Sequence, residues 1–583
     1  MAQGSSFRAL CFVARAFASN SPFQARKISF HMATTLVCLV LVSAVSASEF
    51  LKGAPKELRE SVSEDEVRTS LLEEIESTLG AGSASSRLAQ LEASLQPIYT
   101  ALQKNEHANL GHATVRYALH RLFVKRHGWN IKGLGANGGQ WDSSSPTGVL
   151  TDQVPEYVQE MFEKRLGGRG FGLRELAVLG ATIEHLVHKE TVGKLDAAFN
   201  VMNHLPTSNL TQAEGYQVLD TYMMAYILGE NLANLSYYDA TELMNQMPEF
   251  FMPWRETQQF VRDIGNRLAK DNDAESLLDF ASLVNIAEVV GEEFGTFQDA
   301  ECGTLKKNLM ALEDRQTGRV KLSEFYKPAM SGAWQFQESV GYLRQLGALD
   351  ESGATPSVII TNYLYSQANC IASSGYYAVC CKDECEGLLG HLEERLEAPE
   401  AAVSAIASVV ESLPSSTVSL PRELSASLRR RLDDIALHHG GQVPLHGRLF
   451  AQWMHHAYPR ECPYPHVSGT TSQQSMDEWA LETGLDGVAS DEEMREFTTH
   501  RLDESRTDNP EENDRIMASL PWSPEEELLV VRVQPQNSYF ESSFSMRPVI
   551  LLMLAASALR GITHLFKNGS GSYKDDGKYK YMV

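Results

Sequence analysis

Positive charge is in short supply in this chain. Its 51 Lys and Arg face 75 Asp and Glu, a formal net charge of −24 over 583 residues. Nucleic-acid binding needs a basic footprint to displace phosphate counterions, so no nucleic-acid partner is expected. A phosphate loop is missing too. Leu166-Gly-Gly-Arg-Gly-Phe-Gly-Leu173 has the glycines but no preceding strand and no Gly-Lys-Ser/Thr ending, and it reads as a hinge before a helix. Asp-rich loops and local signatures of a nucleophilic Ser or Cys are also lacking, so no catalytic or cofactor-binding residue is assigned. Long apolar runs are scarce. Met32 to Ala47 is too short to span a bilayer comfortably, and the 19 residues from Pro548 to Phe566 are interrupted by Arg560 and His564. The latter stretch is expected to be a docked or amphipathic helix, with membrane contact as the alternative.

What is present is an ordinary globular composition, 43% hydrophobic and 22% charged, with length enough for several domains. Residues 1–48 hold no Asp or Glu but do hold Arg8, Arg15, Arg26 and Lys27. The apolar run then ends in Val45-Ser-Ala47, small residues of the kind a signal peptidase accepts. Residues 1–47 are therefore read as a signal peptide or signal anchor, and an organellar transit peptide shares the same features. The expected location is extracellular or lumenal. In that setting Cys302, Cys370, Cys380, Cys381, Cys385 and Cys462, an even set, are disulfide candidates. Adjacent Cys380 and Cys381 are expected to bond different partners; the pairing itself stays open. Asn209-Leu-Thr, Asn234-Leu-Ser and Asn568-Gly-Ser would be glycosylation acceptors.

Periodicity predicts helices over Leu58–Leu79, Ser86–Leu102 and His112–His127, then paired helices from Leu173 to Leu364. Within these, Leu305, Leu309 and Leu312 share a face, and the pattern breaks for twelve residues, Glu313 to Glu324, before Phe325 opens another helix. Gly318 sits at the sixth place, where a sharp turn is needed. Val320 is at the eighth, suited to a short strand, and the carboxylate of Glu324 is at the twelfth. This resembles an EF-hand, and the chain is similar to EF-hand-domain-containing proteins with an N-terminal signal peptide.

The resemblance implies Ca²⁺ as a possible ligand, held by Glu313, Thr317, Glu324 and the backbone carbonyl of Arg319. Arg315 at the third place and Lys321 at the ninth depart from the pattern. The loop carries three acids and three bases, no surplus for a divalent cation. Asn203–Glu214, with a Thr211…Glu214 capping box, and Ile227–Asp239 look like degenerate relatives of the loop. Val358-Ile-Ile360 is placed to pair with Arg319-Val-Lys321.

The fold expected is mainly α: an EF-hand-like helix–loop–helix array, additional helical regions and a Cys/His-rich segment. The segments expected are 48–165 (helical), 166–365 (degenerate EF-hand-like), 366–468 (Cys/His-rich), 469–545 (acidic flexible linker) and 546–583 (apolar helix and tail). The function expected is non-catalytic: a calcium-binding or calcium-independent EF-hand-type binding or scaffold protein with a protein or peptide partner. The alternative is a zinc- or copper-dependent enzyme built on Cys381, Cys385 and the histidines of 438–466.

Overall fold

Several helix starts among the described residues are set by side-chain caps. Thr211 and Ser236 each close a reciprocal capping box, with Glu214 and Asp239, and Asp279, Ser425, Ser475 and Ser490 accept from the third residue beyond them. The computed structural model describes residues 83–135, 145–151, 156–269, 277–332, 335–353, 355–371, 375–499 and 520–530. The expected leader, the helix over 58–79, the stretch 548–566 and Asn568 lie outside them. Among the described residues there are seventeen α-helices and a few short strands, so the chain is mainly helical. No helix among them is long and apolar enough to cross a membrane.

The first buried cluster is made by α1 (Ser83–Ala101), α2 (His112–His127), α3 (Glu156–Gly168), α4 (Leu173–Val201), α5 (Gln212–Leu228), α6 (Tyr237–Phe250), α7 (Trp254–Leu268) and the first half of α8 (Phe280–Leu312). Leu91, Phe123, Leu179, Phe199, Tyr226 and Phe294 are in its interior. The glycine-rich stretch ends one helix at Gly168 and turns before the next: Gly170 has φ +81, and a Cβ there would meet the Leu110 carbonyl at 2.5 Å. The cluster is completed from far along the chain. β1 (Trp129–Ile131) pairs antiparallel with β5 (Tyr377–Val379), Trp129 opposite Val379.

Helix α8 has 33 residues, about 50 Å at 1.5 Å per residue. It leaves the first cluster and delivers Leu309 to a second. There β2 (Arg319–Lys321), α9 (Leu322–Met330), α10 (Val340–Gln345), β3 (Leu349–Asp350), β4 (Ser357–Ile359) and α11 (Ile360–Leu364) form two helix–loop–strand–helix units. The sheet order is β2-β4-β3, with Val320 opposite Val358. The partner strand therefore starts at Ser357, one residue earlier than the sequence suggested, and Ile360 already begins α11.

A third cluster holds α12 (Glu384–Leu396), β6 (Glu400–Ala401), α13 (Val403–Glu411), α14 (Ala426–His438), β7 (Val443–Pro444) and α15 (Arg448–Ala457), around Phe450, Trp453 and Tyr458. Disulfides join Cys302 to Cys381, Cys370 to Cys380, and Cys385 to Cys462. The two neighbouring cysteines do take different partners.

The clusters divide the chain differently from the segments expected. Helices of 173–294 belong with those of 88–166, and Tyr377 and Val379 belong to the first cluster rather than to a Cys/His-rich domain. The larger correction concerns the acidic linker. Within 469–545, α16 (Met476–Thr483) and α17 (Asp491–Thr498) are formed and packed on the second cluster. Composition misled because few apolar residues are needed: Trp479 and Met494 are buried, and Phe497 lies against Tyr326 with ring centroids 6.2 Å apart. Backbone bonds fasten the segment as well, Ser339 N to Gly487 O and Ala489 N to Gln337 O. Residues 520–530 are also docked: the Arg448 guanidinium donates to the carbonyls of Ser523 and Glu525.

Candidate functional site

The loop between α8 and α9 turns where Arg315, Gln316 and Gly318 all take positive φ, +52, +62 and +71. Only Gly318 has an external reason to be glycine. A Cβ there would stand 2.4 Å from the Pro459 carbonyl oxygen, so the segment following α15 lies directly on the loop. The turn brings Glu313 over the loop interior, where Gly318 N donates to its Oε1 at 2.6 Å.

Its other oxygen belongs to Arg460. Arg460 Nε donates to Glu313 Oε2 at 2.8 Å and Nη2 donates to the same oxygen. The Glu313 side chain is 2% exposed. Thus the carboxylate expected at the first ligand place is already satisfied by a guanidinium and a backbone amide.

The other expected ligands are similarly engaged. Thr317 Oγ1 donates to Asp314 O at 2.6 Å, and the Arg319 carbonyl accepts from Asp314 N at 2.8 Å. Glu324 turns outward to Lys327 at 2.5 Å. The Arg319 guanidinium reaches Asp350 at 2.6 Å and the Thr317 carbonyl at 3.1 Å. Burial acts to raise the Asp350 carboxyl, but Arg319 and the Ser352 donors prevail and hold it below the usual carboxylate range.

A calcium shell needs six to eight converging oxygens, several of them charged. The four residues named from the sequence do share one loop, but their oxygens serve Arg460, Gly318, Asp314 and Lys327 instead. The donor set therefore does not fit a hard divalent cation in this arrangement. Among the described residues no group of three or more His, Cys, Asp or Glu is placed to hold a metal ion.

Parts of the Cys/His-rich segment pack against the loop. Cys381 and Cys385 are bonded to Cys302 and Cys462, so neither offers a thiolate. His446 pairs with buried Glu393 at 2.8 Å. His455 Nδ1 donates to Cys462 O at 2.7 Å, which leaves Nε2 to accept from Arg319 Nη1 at 3.3 Å. Burial, then the nearby Arg319 charge, lower His455 to about 3, so it is neutral. Asn362 holds the same segment through both ends of its carboxamide, to Tyr464 N at 2.7 Å and Tyr464 O at 2.9 Å. Next to Arg460, the buried Glu461 accepts from Ser415 and Thr417 hydroxyls, each at 2.7 Å.

Sequence reasoning missed Arg460, Asp350 and Pro459, and named His455 only among candidate metal ligands, not as a partner of the loop. One signal was available: a loop with no net charge has no unmet demand for an added cation, and its partner charge has to come from the protein. Comparison of the chain with family models, with curated proteins and with solved structures gave no match.

Proposed function

We infer that this chain is a non-catalytic binding or scaffold protein of the secretory pathway, with an EF-hand-type loop pair that works without Ca²⁺. The observation that carries this reading is the Arg460–Glu313 pair, which satisfies at the first ligand place the charge a metal ion would otherwise meet. The pairing of β2 with β4 through Val320 and Val358 supports the EF-hand-type description. Three disulfides support an oxidising compartment. With its carboxylates engaged inside the protein, the loop acts as a joint between the second and third clusters, and the partner is a protein or peptide.

Elemental analysis of the secreted chain combined with Ca²⁺ titration calorimetry tests the reading. The expected result is no stoichiometric zinc, copper or iron, and Ca²⁺ affinity no tighter than roughly 10⁻⁴–10⁻³ M, the weak extracellular class. Micromolar Ca²⁺ binding, or one transition-metal ion per chain, would overturn it.

A further inference from the structure

Two of the three Asn-x-Ser/Thr tripeptides fall on described residues, and the scaffold reading leaves both without a role. Asn209 lies in the loop between α4 and α5, and Asn234 in the short turn between α5 and α6. Both are exposed, and among the described residues neither carboxamide has a protein partner. Their hydroxyl companions are engaged. Thr211 Oγ1 and Ser236 Oγ each bond the capping carboxylate of the next helix at 2.7 Å.

The surroundings give these sites more weight than the tripeptides alone. Most large apolar side chains of the first cluster are inside, but Leu205 is 64% exposed, Tyr237 48% and Tyr238 74%. Leu205 is four residues from Asn209, no more than about 14 Å along extended chain, and Tyr237 is three from Asn234, no more than about 11 Å. Adjacent exposed tyrosines are amphipathic rings with one face left to water. A sugar ring has a C–H face that covers such a surface and hydroxyls that keep it hydrated.

We propose that Asn209 and Asn234 carry N-linked glycans whose first sugars lie over Leu205 and over the Tyr237–Tyr238 pair. The inference rests on the secretory reading above. In the reaction the carboxamide nitrogen attacks the anomeric carbon of a lipid-diphosphate-linked oligosaccharide. The N–C bond forms and the bond from that carbon to the phosphate oxygen breaks. The lipid diphosphate leaves with the electron pair, and one amide proton passes to the transferring enzyme. Because the cap hydroxyls are tied up once α5 and α6 have formed, transfer takes place before those caps close.

The test uses the full chain secreted from eukaryotic cells, digested with peptide-N-glycosidase in heavy-oxygen water and mapped by mass. The expected result is Asn-to-Asp conversion with the heavy label at both 209 and 234. Asn209→Gln and Asn234→Gln should each remove one gel-mobility step. These substitutions spare Thr211 and Ser236, so the helix caps stay intact. Enzymatic removal of the sugars from folded protein should raise hydroxyl-radical labelling of Tyr237, Tyr238 and Leu205 several-fold.

Free-thiol labelling of the same sample separates the two ways of failing. Oxidised cysteines with bare Asn209 and Asn234 would overturn the glycan proposal and leave the secretory reading standing. Reduced cysteines with bare sites would overturn both. Sugars at both sites with no change in labelling on their removal would overturn the covering role.

Discussion

Arg460 Nε donates to Glu313 Oε2 at 2.8 Å across 147 residues of chain, placing a guanidinium on a carboxylate that the sequence offered as a metal ligand. Breaking a buried ion pair from one side leaves the other charge without a partner. Arg460→Gln should therefore cost about 3 kcal/mol in urea unfolding. Arg460→Lys should recover only part, because a point ammonium cannot reproduce the two-nitrogen contact. Equal stability of wild type and the Gln variant would mean that the pair is incidental.

Gly318 supplies a second test of the same contact. Gly318→Ala meets both the cost of positive φ and the Pro459 carbonyl 2.4 Å away, so a loss of at least about 2 kcal/mol is expected. Gly332 has φ +90 with nothing within 4 Å of a Cβ, and Gly332→Ala should cost only the backbone share, about 1 kcal/mol. Thermal unfolding of the two variants side by side decides. Equal losses would show that the segment at Pro459 yields freely.

Local features were legible in the sequence and distant docking was not. The helix His112–His127 was readable to the residue, because its run of helix-forming residues is a local signal. The Thr211…Glu214 box was readable for the same reason, and so was the pairing of two short strands across the loops, although its register was off by one residue. Arg460 was not. Nothing in Pro459-Arg-Glu-Cys462 states which carboxylate the guanidinium meets, since that depends on how α15 sits on the β2–β4 edge. The segment around Trp479 and Met494 was mistaken for a tether because composition averages over residues, whereas two anchors and a few backbone bonds suffice to dock it.

Acidification should destabilise the protein before its unshifted carboxylates titrate. Burial, then neighbouring arginines, lower His120 to about 4 and His455 to about 3; burial, then the adjacent His455 ring, lower His456 to about 2. Once unfolded, these rings bind protons below about 6.5 while the folded protein does not, so stability falls as pH drops from that point. Each ring contributes at most about 1.4 kcal/mol per pH unit. Glu338 and Asp383, raised by burial, pull in the opposite direction. Melting followed from about pH 7 to about pH 5 should show a falling midpoint. His455→Asn, which can still donate to Cys462 O, should flatten the slope. A midpoint that rises on acidification would show that the carboxyls dominate.

The disulfides should differ in worth. Cys385–Cys462 closes 77 residues and Cys370–Cys380 closes 10. By loop entropy the first contributes about 4.5 kcal/mol and the second about 2.7 kcal/mol. The Cys385→Ser/Cys462→Ser chain should accordingly lose more in guanidinium unfolding than the Cys370→Ser/Cys380→Ser chain, and it should also loosen Arg460, two residues from Cys462. The reverse order would place the larger constraint in the short loop.

The pairing of Trp129 with Val379 bears on how the protein is made. A ribosome issues the N-terminal helices first, yet the strand that covers Trp129 is 250 residues further on. At about 5–20 residues per second, the nascent first cluster waits roughly 10–50 s with that strand edge open. An unpaired edge beside a large aromatic surface invites pairing with another chain. The part of this protein that is born first is therefore among the last to be finished, and its need for shelter during synthesis is set by one short ladder.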